Sequence, residues 1–290
     1  MPASQEIIRQ LNRSGKRLSK GHRRIAEYIA GHSDRAVFMT AAKLGEAVGV
    51  SESTVVRFAS AIGYTGYPQM QRTLQELIAQ RLTANERVAM SSELDTQDCL
   101  STVLRSDIQN LHATMEALDP AVFEDVVRRI LSAESLYIIG LRSAAPLAQF
   151  LGYYLNFIFD EVHLVSSGTT DVFESISRLK PGDVLIGISF PRYSTRTLEA
   201  MRFAKRCGAQ VIAITDGDMS PLYAESDACL TAHTDMASFV DSLAAPMSVI
   251  NALLVALGMR RKDALSEHFL RLENIWDTYQ VYLGEEGHRG

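Results

Sequence analysis

Five short apolar runs alternate with helix-patterned stretches in the second half of this chain: SLYII at 135–139, EVHLV at 161–165, DVLIGI at 183–188, QVIAI at 210–214 and ACLTA at 228–232. Segments 143–158, 170–179 and 195–207 separate the first four, and a shorter one at 219–225 precedes the fifth. Apolar strands alternating with helices of this length predict a parallel sheet covered on both faces, because each return to the same edge needs a crossover. Downstream, 243–257 reads as a long apolar helix with Asn251 its isolated polar residue, and 262–283 as an amphipathic one. These two either cover the sheet or make a subunit interface.

The first half carries no such alternation. Its periodicities are helical throughout, and the most informative stretch is TAAKLGEAVGVSESTVVRFASAI at 40–62. Ala41, Leu44 and Val48 form one apolar face, Gly49-Val50 makes a corner, and Val55, Phe58, Ala59 and Ile62 form a second face. Thr40 and Ser51 are placed as N-caps. Helix, short glycine-containing turn and helix is the pattern of a helix-turn-helix, whose second helix enters the DNA major groove. The exposed side of that second helix offers Ser53, Thr54 and Arg57 to base edges or adjacent phosphates, and Arg23, Arg24 and Lys43 add charge around it. A packed helical pair with solvated polar side chains explains the same stretch without DNA, so its surroundings matter.

The charge distribution supplies them. Residues 1–90 carry 13 Lys/Arg against 7 Asp/Glu, whereas the remaining 200 carry 16 against 27. Positive charge is concentrated where phosphate attraction needs it. Arg17, Lys20, Arg23 and Arg24 form the densest cluster, as consistent with a solvated helix face as with phosphate contact. Other helices are expected near Ile7, Ile8 and Leu11, over 21–29, over 69–82, over 100–115 and from Asp119-Pro120 onward. Three widely spaced cysteines (Cys99, Cys207, Cys229) give neither a disulfide framework nor a metal pattern, and no cofactor or metal is expected. No apolar run approaches a membrane span and no secretory signal is visible, so a cytoplasmic protein is expected.

In an open parallel sheet, ligands bind beyond the C-terminal ends of the strands. Two loops there have anion-binding character. Gly140-Leu141-Arg142-Ser143 opens a helix, with Ser143 placed to cap it. Ser189-Phe190-Pro191-Arg192-Tyr193-Ser194-Thr195-Arg196-Thr197 follows the third strand and brings hydroxyls and guanidinium groups toward the next helix N-terminus. A third hydroxyl segment, 166–170, ends the second strand. There is neither a dinucleotide fingerprint nor a GxxxxGK[ST] loop. His163 reads as structural, His233 and Asp235 as turn or crevice residues, and no catalytic constellation is visible.

The stretches LSKGHRRIAEYIAGH and MTAAKLGEAVGVSESTVVRFASAIGYTGYPQMQ, followed by IIGLRSA, GDVLIGISFPRYSTRT and VIAITDGDMSPLYAESDACLTA, resemble the RpiR family of bacterial transcription regulators over nearly the full length. The resemblance implies an α/β chain overall, with an all-α helix-turn-helix domain joined to a SIS-type (sugar isomerase) α/β/α domain built on a five-stranded parallel sheet. Expected boundaries are 1–82 for the DNA-binding domain, 83–118 for a connector and helix, and 119–283 for the SIS domain. It further implies a phosphorylated sugar or sugar acid as effector, an operator that is an inverted repeat in double-stranded DNA, and a homodimer or homotetramer. Carried onto this chain, Ser143 is the phosphate-binding serine of the first loop, Ser189 the leading serine of the second and Ser194 its closing hydroxyl, with Arg192 and Thr197 completing the expected effector set. Pro191 and Arg192 depart from the usual Ser-x-Ser-Gly-x-Thr pattern, losing a hydroxyl and gaining a cation. Repression is the favoured mode; a sugar-phosphate isomerase and a protein-binding adaptor are the rival readings.

Overall fold

The structure is a computed structural model that describes residues 18–32, 36, 39–79, 85, 87–88, 98–166, 171–236 and 239–283. The chain divides into two compact units, one formed by 1–112 with 234–243 and the other by 113–233 with 244–290. The helix expected near Ile7 and the basic residue Arg17 lie outside the described residues.

The first unit contains α1 (Lys20–Gly31), α2 (Ala41–Val48), α3 (Glu52–Ala61) and α4 (Tyr67–Ala79). Their apolar faces converge on one core, with Ile25 and Ile29 from α1, Leu44 from α2, Val55 and Phe58 from α3, and Met70 and Leu74 from α4 all excluded from solvent. The caps follow local rules. Ser19 Oγ accepts from the His22 amide and Thr40 Oγ1 from the Lys43 amide, each at 3.2 Å. At the other end of α2, Gly49 adopts φ +70°, a left-handed conformation that lets the chain reverse into α3 at no steric cost. Tyr67 is buried and its hydroxyl donates to Met39 O at 2.7 Å, tying α4 to the segment that enters α2.

The long helix α5 (Cys99–Ala117) follows, starting in the first unit and ending in the second. Within the first unit it holds the distant segment 234–243 through side chains. Buried Asn110 accepts from the Asp235 amide at 3.1 Å and donates to Asp235 O at 2.9 Å, imitating a strand pairing. Ser242 donates to Asp107 at 2.6 Å, and the nearly buried Arg87 pairs with Asp241 at 2.7 Å.

The second unit is a three-layer α/β fold. Its elements are α6 (Pro120–Leu131), β1 (Leu136–Gly140), α7 (Ala145–Ile158), β2 (Val162–Val165), α8 (Val172–Ser175), β3 (Val184–Ile188), α9 (Thr195–Arg206), β4 (Gln210–Thr215), α10 (Pro221–Glu225), β5 (Ala228–Thr231), α11 (Ala244–Arg260) and α12 (Lys262–Tyr279). All five strands run parallel in the order β2-β1-β3-β4-β5. One face packs Ile139, Leu185, Val211 and Ala213 against Ala200, Met201 and Ala204 of α9 and Leu222 of α10. The other face is covered by α7, which contacts β1 and β2, and by α6, which contacts β5; α11 packs on both of these helices.

Three expected helices differ. The 170–179 segment is helical only over Val172–Ser175, because the Ser175 and Ser177 hydroxyls bond back to Asp171 O and Glu174 O and compete with the backbone ladder. The 143–158 helix starts at Ala145, after a separate 3-10 turn over Arg142–Ala144. The 262–283 helix ends at Tyr279, with Gln280 in the left-handed region.

Candidate nucleic-acid interface and anion site

In the first unit, α3 buries Val55, Phe58 and Ala59 and turns Ser53, Val56, Arg57 and Ser60 outward. Thr54 is half-buried. Its methyl lies 3.4 Å from where a Cβ at Gly21 would stand, so α1 crosses close to the first turn of α3. Ser51 occupies the N-cap position but makes no capping bond. Its hydroxyl lies 3.0 Å from Ser53 Oγ and 2.9 Å from Thr54 Oγ1, and this corrects its expected role as a cap. The three hydroxyls form one cluster at the exposed start of the helix. Arg57 Nε donates to Ser53 O at 3.1 Å, which directs the guanidinium along the helix. Burial, and then the charge of Arg57, lower the pKa of His22, whose ring meets Phe58 edge-on at 5.7 Å. Arg23, Arg24 and Lys43 are all exposed. Exposed hydroxyls at the start of α3, with exposed cations on α1, α2 and α3, suit phosphate positioning together with base-edge contact.

In the second unit, the chain passes from β1 to β2 on one side and then crosses to β3 on the other side of β1. Loops leaving β1 and β3 therefore diverge, and the crevice between them is the ligand position of this topology. The two candidate loops start there side by side, since Gly140 pairs in register with Ile188. A Cβ on Gly140 would stand 2.8 Å from Ala144 O and 2.9 Å from Ala148 Cβ, so only glycine lets the 3-10 turn fold back onto the strand. Ser143 is exposed within that turn and does not cap α7, whose N-cap position is Ala144; this corrects the expected cap.

The second loop is closed on itself. Ser189, 4% exposed, accepts through Oγ from the Ser194 amide at 3.0 Å, and Ser194 Oγ in turn accepts from the Thr197 amide at 3.2 Å, capping α9. Thr197 is fully buried and its hydroxyl has no hydrogen-bond partner among the described residues, so it lines the interior and not the surface. Arg192 is exposed, and at φ +66° it sits in the left-handed region, as does Arg142 at φ +58°. Such a backbone costs a non-glycine residue about 1–2 kcal/mol. Strain of this kind persists only where flanking structure over-determines it, and it concentrates at functional sites. Of the third hydroxyl segment, 167–170 lies outside the described residues.

Sequence reasoning missed two partners. Tyr193 donates its hydroxyl to both carboxylate oxygens of Asp216, at 2.8 and 2.9 Å, and Thr215 Oγ1 lies 2.7 Å from Ser189 O and 3.0 Å from Asp216. Hydrogen bonds to a charged group contribute about 1.5–3 kcal/mol, enough to offset the strain at Arg192. Burial raises the Asp216 pKa, opposed by the Tyr193 bond. With the folded value above the unfolded one, the stability linked to this group is complete below the unfolded value and lost as pH rises through the folded value. His163 is exposed in the edge strand and stacks on Tyr137 at 4.6 Å. His233 and Asp235 are held by their backbone amides, on Thr114 and Asn110 respectively.

Comparison with known proteins gives a match to each part of the chain. Residues 5–81 match the helix-turn-helix domain of the rpiR family, and residues 129–256 match the SIS domain. The chain belongs to the RpiR family. It is a helix-turn-helix transcriptional regulator with a SIS domain, α/β overall, as the resemblance implied. Among RpiR-type relatives, the HTH-type transcriptional regulator HexR of Pseudomonas aeruginosa is 25% identical over 287 residues, spanning 97% of this chain and 99% of the relative. The sugar isomerase domain of an RpiR transcription factor from Sphaerobacter thermophilus superposes with a TM-score of 0.59 at 26% identity, covering 61% of this chain and 99% of that one. The Vibrio vulnificus NanR protein complexed with ManNAc-6P shares the fold over 93% of this chain and 98% of its own, with a TM-score of 0.57 at 22% identity. No described helix is long and apolar enough to cross a membrane.

Proposed function

We propose that this regulator represses an operator through the exposed face of α3 and releases it when a phosphorylated sugar or sugar acid occupies the crevice between the β1 and β3 loops. The observation that carries the reading is the coincidence of the two anion-type loops with the reversal point of the sheet. Ser143, Ser189, Arg192 and Ser194 are the effector residues, and Thr197 supports their loop from beneath. ManNAc-6P, held by NanR on the same fold, is of the proposed chemical class. Ser53, Thr54 and Arg57 contact bases or neighbouring phosphates, while Arg23, Arg24 and Lys43 contact the backbone. Working on DNA in this way places the protein in the cytoplasm.

The effector acts without being converted. An effector shifts DNA affinity only through its different affinity for two conformations, and needs no chemistry to do so. Capture of random DNA fragments by the full chain, repeated with a panel of sugar phosphates, tests the whole reading. Enrichment of one inverted repeat, lost with one phosphate that is recovered unchanged, is the expected result; turnover of that phosphate, or no enrichment, overturns it. On the captured operator, Arg57→Ala is expected to weaken binding by about 1–3 kcal/mol, roughly 5- to 150-fold, and to relax specificity. Unchanged affinity and specificity would remove α3 from the interface.

Closed symmetry matches a palindromic operator, and a homodimer or homotetramer is part of the proposal. No residue of α12 is buried, and Val255 and Met259, each more than 60% exposed, line an apolar groove of about 600 Å³ between α7, α11 and α12. Light scattering on Met259→Asp is expected to show a smaller species than the parent protein. Identical masses would move the interface elsewhere.

A further inference from the structure

Pro191 and Arg192, which depart from the serine-glycine pattern, lie between two anchored residues of the β3 loop. Phe190 on one side of Arg192 is buried, and Tyr193 on the other is fixed by two contacts of 2.8 and 2.9 Å to Asp216 at the end of β4. Between these anchors Arg192 is kept at φ +66°. A second tie joins the same two loops, because Thr215 Oγ1 lies 2.7 Å from both Ser189 O and Ser220 Oγ. The β3 loop is thereby clipped to the end of β4 at its first residue and again at its fifth.

We propose that Tyr193 is a positioning residue. Its hydrogen bond to Asp216 keeps the anion-binding loop in its ligand-ready shape against the strain at Arg192, and sets phosphoryl affinity without touching the ligand. Where the common pattern has glycine, which adopts a left-handed backbone freely, this chain has an arginine that needs an external tether. The gain is a cation at the crevice; its condition is the Tyr193–Asp216 bond. The inference rests on the proposed effector site for its consequence, though not for its geometry.

Two measurements on the full chain separate these parts. In hydrogen exchange of the free protein, Tyr193→Phe is expected to speed the Ser194 and Thr197 amides on the order of tenfold, since these amides bond within the loop, while Ile186 and Ile212 in the sheet keep their rates. Calorimetric titration with inorganic phosphate is expected to show an affinity on the order of tenfold weaker. In an Arg192→Gly background, where no strain remains to be held, Tyr193→Phe is expected to change either reading by less than about threefold. Unchanged loop amides in Tyr193→Phe overturn the proposal, as do equal acceleration across the sheet, an unaltered phosphate affinity, or a full effect in the glycine background. If the parent protein binds neither phosphate nor any sugar phosphate, the effector reading fails, and the exchange rates alone decide the tether.

Discussion

Phe58→Ala is expected to destabilise the helix-turn-helix unit by about 3–5 kcal/mol, the cost of a large cavity in a core with no spare material. Phe58 is fully buried where α1, α2, α3 and α4 converge, and its ring also supports the edge of His22. A unit of this size holds only a few times RT of stability per helix, so a loss of that magnitude is a large share of its total. Urea unfolding followed by helical signal is expected to show an early transition absent from the parent, with operator binding lost beyond what Arg57→Ala removes. Phosphate binding by the second unit is expected to persist. A shift of under about 1 kcal/mol would mean that the site collapses around the cavity and that α3 is held by other contacts.

Gly140→Ala is the corresponding test of the second unit. A methyl group there meets Ala144 O at 2.8 Å and Ala148 Cβ at 2.9 Å, and neither a backbone carbonyl nor a Cβ can rotate away. The turn carrying Arg142 and Ser143 has to move, at an overpacking cost of about 1–3 kcal/mol. Both a lower urea midpoint for the second unit and weaker sugar-phosphate binding are expected, without change in operator binding by the unliganded protein. Should binding survive while stability falls, the β1 loop is not part of the anion site and the β3 loop acts alone.

How much of this was legible in the sequence differs between local and distant effects. The five strands were found to within one or two residues, because a buried parallel strand must be continuously apolar and its crossover helix must follow. Thr40, Asp119 and Ser194 cap their helices as local chemistry demands. Ser51 obeys the same rule in position only, since Ser53 and Thr54 offer its hydroxyl nearer partners than the helix amides. Ser143 misled for a related reason: a 3-10 turn intervenes and moves the helix start past it.

The Tyr193–Asp216 bond joins residues 23 apart and has no periodic signature, although a tyrosine amid small polar residues and an aspartate just past a strand were its visible traces. Asn110 and Asp235, 125 positions apart, left none. Their pairing is one of the ties between 234–243 and the first unit, a grouping absent from boundaries drawn along the chain. Strand order was likewise not expected in advance. It became informative only once the reversal between β1 and β3 put the two hydroxyl loops side by side.

Gly49 has a second consequence beyond the corner it allows. The volume its missing methyl would occupy is bordered at 3.1 Å by the guanidinium of Arg24. Asparagine, which tolerates a left-handed backbone better than most side chains, would satisfy the corner yet push that cation aside. One codon therefore governs both the bend of the motif and the location of a positive charge beside it. Even a substitution that keeps the bend therefore moves the charge, which makes the position a narrow gate for drift.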